Sequence, residues 1–286
     1  MQLLGDRVLV IAFEGWNDAA EAATAAVDVM RADGDYVLAH SVDPESYFDF
    51  QYTRPSVHRD EDGVRRLTWP GATLWSPRHG SGLWLLRGHE PARRWKRFAS
   101  EFVATARDEG ITGVILLGAM MGDVPHTRPI LVHAWSENEY IRANSTIERG
   151  RYEGPVGMLS VMADALETAG IPTMSQWASV PHYLSMQAKA PKATIALIEK
   201  VADLTGVRTN HDELDAEARK WEASIDAAMN DDAEMIEYIR SLEQARDAWD
   251  IPAAKGDAIA REFEQFLRRD NEGPRKGPAS GPGDEA

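Results

Sequence analysis

Strand-like and helix-like segments alternate through the first 208 residues, and this alternation constrains the fold more than any other sequence feature. Residues 7–13 are apolar and β-branched without strict alternation, which is typical of a strand buried on both faces. A glycine turn follows, and then Ala22 and Ala26 begin a helical pattern. Asp18 and Glu21 have the spacing of a capping box at the start of that helix. The pattern predicts βα units and an α/β layer fold.

The same criteria predict further strands and helices along this region. Strands are expected at residues 36–42, 65–69, 73–76, 83–87, 114–117, 130–135 and 173–177. One helix is expected to begin at Pro91 and another to cover residues 155–169, because proline suits the first helical turn. A third covers residues 192–204 and ends at Gly206, a common left-handed cap.

After Gly206 the pattern becomes helical and acidic. Apolar residues recur at steps of three and four from Leu214 to Met229, and a second stripe runs from Ile236 to Trp249. A third, shorter stripe lies beyond Pro252 and consists of Ile259, Phe263 and Phe266. We therefore divide the chain into an α/β domain at residues 1–208, a helical appendage at 209–268 and a disordered tail at 269–286, which is rich in Gly, Pro and Ser.

Two interpretations of the apolar stripes in this appendage are open. The stripes pack on the α/β domain, as most amphipathic helices do, or they form an interface between subunits of a homo-oligomer. Residues 209–268 carry 16 acidic and seven basic side chains, which is a local net charge of −9 out of −15 for the chain. This uneven distribution indicates a separate acidic surface.

Composition excludes several classes of function. A net charge of −15 argues against general nucleic-acid binding, which needs clustered Lys and Arg. The chain has no cysteine, so it has neither thiol catalysis nor zinc–thiolate sites. No apolar run approaches the ~20 residues of a membrane span, and the first 15 residues do not resemble a complete signal peptide. We expect a cytoplasmic protein that binds neither nucleic acid nor membrane.

The richest cluster of polar residues follows the predicted strand at 114–117. Asp123, His126, Thr127 and Arg128 lie in the segment LLGAMMGDVPHTRP, and His182 follows a later strand in ASVPHYL. Ligands of open α/β sheets bind beyond the carboxyl ends of the strands. An Asp can orient a His for acid or base chemistry, and an Arg can stabilise an anion. The alternative is a structural hydrogen-bond hub that satisfies loop backbone atoms.

Three other strand ends supply weaker candidates. Asn17 and Asp18 lie in a glycine turn before a helix, which either holds an anion or is an ordinary capped turn. Arg87 and Glu90 precede a basic run that either meets an acidic partner or is a solvated helix face. Glu153 precedes the helix predicted from Pro155.

No motif indicates a cofactor. Neither a Walker sequence nor a G-x-G-x-x-G fingerprint is present, and Asp123, His126 and His133 do not have the spacing of a local metal site. We therefore predict no cofactor, no metal and no catalytic residue, and the sequence leaves open whether the protein is an enzyme.

Six ordered segments resemble the proteasome assembly chaperone 2 family, in particular its actinobacterial branch. They span roughly residues 9–204 and comprise FEGWNDA, YFDFQYTRP, LLRGHEPARRWKRF, LLGAMMGDVPHTRP, YEGPVGMLSVMADA and WASVPHYL. The resemblance implies a three-layer α/β/α sandwich related to the purine nucleoside phosphorylase-like architecture. It also implies that family members assist assembly of the proteasome core particle, some through a C-terminal motif of a hydrophobic residue, Tyr and any residue. The printed sequence ends instead in Asp284, Glu285 and Ala286.

Two functional hypotheses follow. The first is a non-enzymatic assembly-chaperone-like or scaffold protein that self-associates and binds a protein partner, proteasome-related or other. The second is a binding protein or enzyme for a nucleoside-, phosphate- or amide-type molecule, which would use the polar loops at the strand ends.

Overall fold

The computed structural model describes residues 3–79, 82–184, 189–230 and 232–249. Nine strands are β1 to β9 in chain order, at Val8–Glu14, Tyr36–Ser41, Ser56–Arg59, Arg65–Thr68, Ala72–Pro77, Trp84–His89, Gly113–Gly122, Val132–Trp135 and Thr173–Pro181. Eight helices are α1 to α8, at Ala22–Asp33, Pro44–Tyr47, Trp95–Asp108, Glu139–Ala143, Met158–Thr168, Pro191–Thr205, Asp212–Met229 and Ala233–Trp249.

Seven strands form one mixed sheet in the order β2-β5-β6-β1-β7-β9-β8. The four central strands, β6, β1, β7 and β9, are parallel, while β5 and β2 on one side and β8 on the other are antiparallel to their neighbours. The carboxyl ends of the parallel strands therefore meet along one edge of the sheet. This edge is where the candidate residues of the sequence converge.

Helices cover both faces of the sheet, which confirms the predicted three-layer α/β/α sandwich. Alternate residues of β1 enter the two cores, as the period of a strand requires. Val10 and Ala12 join the core beneath α1 and α6, whereas Leu9, Ile11 and Phe13 join the core beneath α3 and α5. Because both faces are buried, the β1 sequence is continuously apolar.

The start of α1 differs from the predicted capping box. Ala20 and Glu21 adopt left-handed φ angles of 56°, and a 3-10 turn at Ala19–Glu21 precedes the helix. The helix begins at Ala22, so Asp18 reaches over the turn and its Oδ1 accepts the N–H of Ala23 at 2.7 Å. Asp18 thus accepts a hydrogen bond from the first turn of the helix, as expected. The prediction that Glu21 completes a capping box is wrong.

Two helices begin later than the prolines predicted. Arg94 has a left-handed φ of 57°, and the Trp95 indole donates to the Pro91 carbonyl at 2.6 Å, so α3 starts at Trp95. Before α5, Gly157 is extended, and it leaves room for Asn17, since a Cβ there would lie 2.0 Å from Nδ2 of Asn17. The helix therefore starts at Met158, and a helix start at Pro155 is also wrong.

The small residues in β7 do not end the strand. It continues to Gly122 and pairs with β9 over its whole length. A Cβ on Gly118 would lie 2.6 Å from the indole of Trp177, so glycine makes room for that ring within the strand. The sequence also missed β3, which pairs with β4 in a separate two-stranded sheet through Val57 and Leu67.

Helices α7 and α8 correspond to the first two predicted apolar stripes. Ile225 is buried with the core beneath α1 and α6, and Leu214, Trp221 and Met229 pack against it. The stripe of α7 thus packs on the α/β domain, as one interpretation expected. The third stripe and residues 269–286 lie outside the described residues. Within the described ranges, no helix is long and apolar enough to cross a membrane.

Candidate functional site

His126 lies buried between a strand-end loop and α7, with 1% of its surface exposed. Its Nδ1 is 2.8 Å from the Tyr183 hydroxyl, and its Nε2 is 3.1 Å from Oδ1 of Asp226 on α7. The Tyr183 oxygen also accepts the backbone N–H of His126 at 2.8 Å. Both ring nitrogens are therefore engaged within the protein.

Lys192 strengthens the same contact with α7. Its Nζ donates to the His126 carbonyl at 2.6 Å and pairs with Glu222 at 2.9 Å. Burial raises the pKa of the neighbouring Tyr183 to about 12, so its hydroxyl stays protonated at neutral pH. The loop and α7 are thus joined by a hydrogen-bonded network that runs from the buried His126 to the exposed Asp226.

Thr127 and Arg128 join the loop to α8. The guanidinium of Arg128 forms a bidentate pair with Asp247, at 2.8 and 2.9 Å, and a third contact with Glu243 at 3.0 Å. Thr127 donates to the same Glu243 oxygen at 2.5 Å. The hydrogen bond from Arg128 lowers the pKa of Asp247 below its usual value, so the pair stays charged at neutral pH.

Asp123 and His182 complete this group at the ends of β7 and β9. Nδ1 of His182 is 3.1 Å from Oδ1 of Asp123, and the Tyr238 hydroxyl on α8 donates to the same oxygen at 3.4 Å. The His182 ring also meets the Tyr238 ring edge-on at 5.7 Å. About a third of each paired side chain is exposed, 31% for Asp123 and 33% for His182.

Each of the five residues predicted at this end of the sheet therefore contacts α7 or α8. We call this region the helix-pair junction, comprising Asp123, His126, Thr127, Arg128 and His182 with their partners Asp226, Tyr238, Glu243 and Asp247. The contacts favour the structural-hub interpretation for His126 and Arg128, since a ligand would have to displace the helix pair from them. Ligand binding at Asp123 and His182 stays a prediction.

A second group lies at the ends of β1 and β6. Glu14 pairs with Arg87 at 2.6 Å and with Nε2 of His89 at 3.0 Å, and Arg87 also contacts Asp28 on α1 at 3.1 Å. Burial of Glu14 raises its pKa, but the hydrogen bond and charge of His89, with Arg87, outweigh this effect and lower the pKa overall. Arg87 thus ties the sheet to α1.

Asn17 and Asp18 lie between these two groups. Both are buried, and the Asn17 carbonyl accepts the N–H of Ala119 from β7 at 2.8 Å. Burial raises the pKa of Asp18 to about 6, although hydrogen bonds from Thr24 and Ala23 oppose the shift. The turn therefore holds a buried carboxyl group and a backbone contact with β7. These contacts favour the interpretation of an ordinary capped turn over that of an anion site.

Glu90 and Glu153 lie on either side of the start of α5. Oε1 of Glu90 accepts the N–H of Met158 at 2.7 Å, which places a carboxylate at the helix N-terminus. Burial raises the Glu90 pKa, while this hydrogen bond opposes the effect. Glu153 is exposed in the preceding loop, whose neighbouring residues Tyr152 and Pro155 line a large cavity.

That cavity is the feature that sequence reasoning missed. It has a volume of about 990 Å³ and lies beside β8, β9 and α5. Trp135 and Trp177 stack along it with ring centroids 5.6 Å apart, and Trp16 lies at its rim. His133 contacts Ser179 at 3.1 Å, and burial lowers its pKa to about 4. The one available signal was the tryptophan in each of the segments GWN, HAW and QWA.

The chemistry of the described residues is thus hydrogen bonding and ion pairing rather than metal ligation. Within the four described ranges, no three His, Asp or Glu side chains converge to hold a metal ion. The seven-stranded sheet between two helix layers, with a helix pair joined to one sheet end by polar contacts, defines an α/β/α protein with a helical appendage.

Comparison with known proteins identifies the family. The PAC2 family model matches residues 12–229. A PAC2 family protein from Streptomyces avermitilis is 42% identical, with a TM-score of 0.75 over 82% of this chain and 99% of that one. The chain therefore belongs to the PAC2 family, as the sequence motifs predicted.

Two mycobacterial structures are also similar. A proteasome-assembly chaperone homologue from Mycobacterium tuberculosis is 37% identical, with a TM-score of 0.72, and the match covers 81% of this chain and 99% of that one. A protein of unknown function from the same organism is 29% identical, with a TM-score of 0.80, over 95% and 94% of the two chains. No match was found among curated proteins.

Proposed function

We propose that this PAC2 family member is a non-enzymatic assembly-chaperone-like protein that self-associates and binds a protein partner. The partner class we favour is a proteasome subunit, because the chain is 37% identical to a mycobacterial proteasome-assembly chaperone homologue over 99% of that protein. The engagement of His126 and Arg128 by α7 and α8 also supports a structural rather than a catalytic role for them.

One observation carries this proposal, the exposed apolar surface of the β3–β4 hairpin. We call residues 56–69 the arm. Val57 and Leu67 are cross-strand partners on one face, and they are 54% and 52% exposed. Trp69 directly follows β4 and is 50% exposed. An isolated two-stranded sheet is marginally stable in water, and clustered exposed apolar residues mark interaction sites.

The edge strand β2 of the main sheet carries a further exposed apolar residue. The arm is inserted in the chain between β2 and β5, and β2 is the edge strand beside β5. Leu38 on β2 is 63% exposed, and the ladder with β5 shifts register between Leu38 and His40. Such an irregularity discourages uncontrolled pairing at a sheet edge. We therefore expect the arm, rather than the β2 edge, to make a specific protein contact.

The arm itself provides the test. Val57→Ser combined with Leu67→Ser removes the apolar pair, whereas His58→Ser with Thr68→Ser alters the other face of the same hairpin as a matched control. Molar mass by light scattering should show self-association of the native chain and the control, weakened about tenfold in the apolar double variant. Binding to purified proteasome α-type subunits should fall in the same variant. A native chain that is monomeric at micromolar concentrations and binds no such subunit contradicts the proposal.

A second candidate function is binding of a nucleoside-, phosphate- or amide-type molecule at the sheet end. The observation that favours it is the partial exposure of the paired Asp123 and His182. A ligand that binds only the folded chain raises its melting temperature with increasing concentration. A saturable shift with nucleotides, nucleosides or phosphate that is lost in Asp123→Ala would support this function, and a flat response would count against it.

A further inference from the structure

The cavity beside α5 is an aromatic groove at the β8 edge of the sheet. We call it the tryptophan groove, lined by Trp16, Trp135 and Trp177 with Val156 and Leu159. Trp16 is 39% exposed and Val156 is 44% exposed. Its edge strand is β8, at the opposite end of the sheet order from β2.

The floor of the groove suits an apolar occupant. Trp135 is partly exposed and stacks on Trp177, which is buried beneath it, and Ala163 on α5 adds further apolar surface. Burial lowers the pKa of His133 to about 4, so this floor residue is neutral at physiological pH. The charged side chains Arg149 and Glu137 on the lining pair with each other at 3.0 Å. An occupant therefore meets aromatic and aliphatic surface with charge balanced around it.

The described chain ends close to this groove. Arg246, in the last turn of α8, is one of its lining residues, and α8 ends three residues later at Trp249. Residues 250–286 follow in the sequence. Ile259 is ten positions after Trp249, and ten extended residues span up to about 33 Å. The segment that begins at Ile259 is therefore within reach of the groove.

This segment carries the apolar pattern that a groove of this kind binds. Ile259, Phe263 and Phe266 are spaced by four and three residues, with Leu267 next to them. Anchors at i, i+4 and i+7 on one face are the mark of a helix that binds in an apolar groove. The residues between them are mostly charged or polar, which leaves one side of the segment for solvent.

We propose that residues 259–267 bind in the tryptophan groove of their own chain, with Phe263 and Phe266 against Trp16 and Trp135. The tether from Trp249 favours this occupant over a second copy or a separate protein, since a short linker gives an effective concentration in the millimolar range. This inference is independent of the proposed function, because it concerns the β8 edge and not the arm.

The absence of cysteine from the sequence makes a direct test possible. Ser160 is exposed on α5 and lines the groove, and Ala260 lies beside the apolar stripe. Ser160→Cys with Ala260→Cys in the full chain, treated with a short bismaleimide, should give an intramolecular crosslink detected by peptide mass. The matched control pairs Leu38→Cys, on the opposite edge strand, with the same Ala260→Cys. The groove pair should crosslink about tenfold more than the control.

The phenylalanines provide the specificity control. Adding Phe263→Ser and Phe266→Ser to the groove pair should reduce the intramolecular crosslink about tenfold, since two apolar anchors are lost. Hydrogen exchange at residues 146–157 should then become faster, which reports uncovering of the groove without the crosslinker. Crosslinks between copies, equal crosslinking from Leu38→Cys, or insensitivity to the serine substitutions would each overturn the proposal. Failure of the groove pair to crosslink at all would do the same.

Discussion

The helix pair α7–α8 and the arm both lie outside the seven-stranded sheet, but they differ in how far their side chains are engaged by the rest of the chain. The helix pair contacts all five polar residues of the helix-pair junction, from Asp123 to His182. The arm leaves its apolar pair, Val57 and Leu67, about half exposed. The difference indicates that the helix pair belongs to the stability of the fold, whereas the arm is available for contact with another molecule.

The largest effect is expected at the buried centre of the helix-pair junction. His126→Ala removes a side chain that is 1% exposed and leaves Tyr183 and Asp226 without their shared partner. The free energy of unfolding should fall by about 2–4 kcal/mol, as for other buried, hydrogen-bonded side chains. Urea unfolding measures this change. His58→Ala on the exposed arm is the matched control, and an equal loss in both variants would remove the contrast between the two regions.

The pH dependence of stability tests Asp18, which lies outside both the helix pair and the arm. The pKa of Asp18 is about 6 in the folded chain and about 4 when unfolded, so the folded state binds the proton more tightly. The contribution of Asp18 to stability is therefore greatest below pH 4, falls between pH 4 and 6, and is constant above. The carboxylate costs about 1–3 kcal/mol at pH 7.

Asp18→Asn tests this assignment because the amide keeps an acceptor for the Ala23 N–H. Thermal unfolding of the variant should lose the decline between pH 4 and 6 that the native chain shows. His126→Ala should retain that decline, since it leaves Asp18 unchanged. If Asp18→Asn keeps the full decline, the titrating group lies elsewhere.

A smaller effect is expected from Arg128→Ala at the outer side of the helix-pair junction. Arg128 is partly exposed, and its pairs with Glu243 and Asp247 are screened by solvent. We expect a smaller fall in melting temperature than for His126→Ala, reduced further by high salt. Hydrogen exchange should become faster in α8 and not in β7. Exchange that increases equally in both elements would show that Arg128 stabilises the whole sheet.

The smallest effect on folding is expected from the arm. Val57→Ser with Leu67→Ser should change the unfolding free energy of the dissociated chain by less than about 0.5 kcal/mol, because both side chains are already half exposed. Unfolding at high dilution measures this quantity separately from self-association. A large loss would mean that the arm stabilises its own subunit, and the contrast with the helix pair would then fail.

Local sequence patterns predicted most of the secondary structure but not its exact limits. Alternation and β-branched runs located the strands of the main sheet, and Gly206 ends α6 in the predicted left-handed conformation. The starts of α3 and α5 were misplaced because proline was taken as the first helical residue. Instead, Arg94 is left-handed and Gly157 is extended, with the side chain of Asn17 packed against Gly157 from a distant part of the chain.

The polar residues at the strand ends were predictable for a similar reason, whereas their partners were not. Asp123, His126 and Arg128 follow a buried strand, and the topology brings His182 to the same end. Asp226, Glu243 and Asp247 lie about 100 residues later, in helices that carry many acidic residues. Nothing in the neighbouring sequence indicates which of these acidic residues contact the strand ends. The tryptophan groove was missed because Trp135 and Trp177 come from different strands and stack only once β8 and β9 pair.

The sequence by itself determined the α/β layers, the amphipathic helices after Gly206 and membership of the PAC2 family, because periodicity and motifs are properties of neighbouring residues. Tertiary structure decided which charges meet, which helix covers the strand ends and which apolar residues stay exposed. Those outcomes depend on strand order and on contacts between distant residues, such as the 119 positions that separate Arg128 from Asp247. A pair of that kind exists only after the sheet and the helices have packed together.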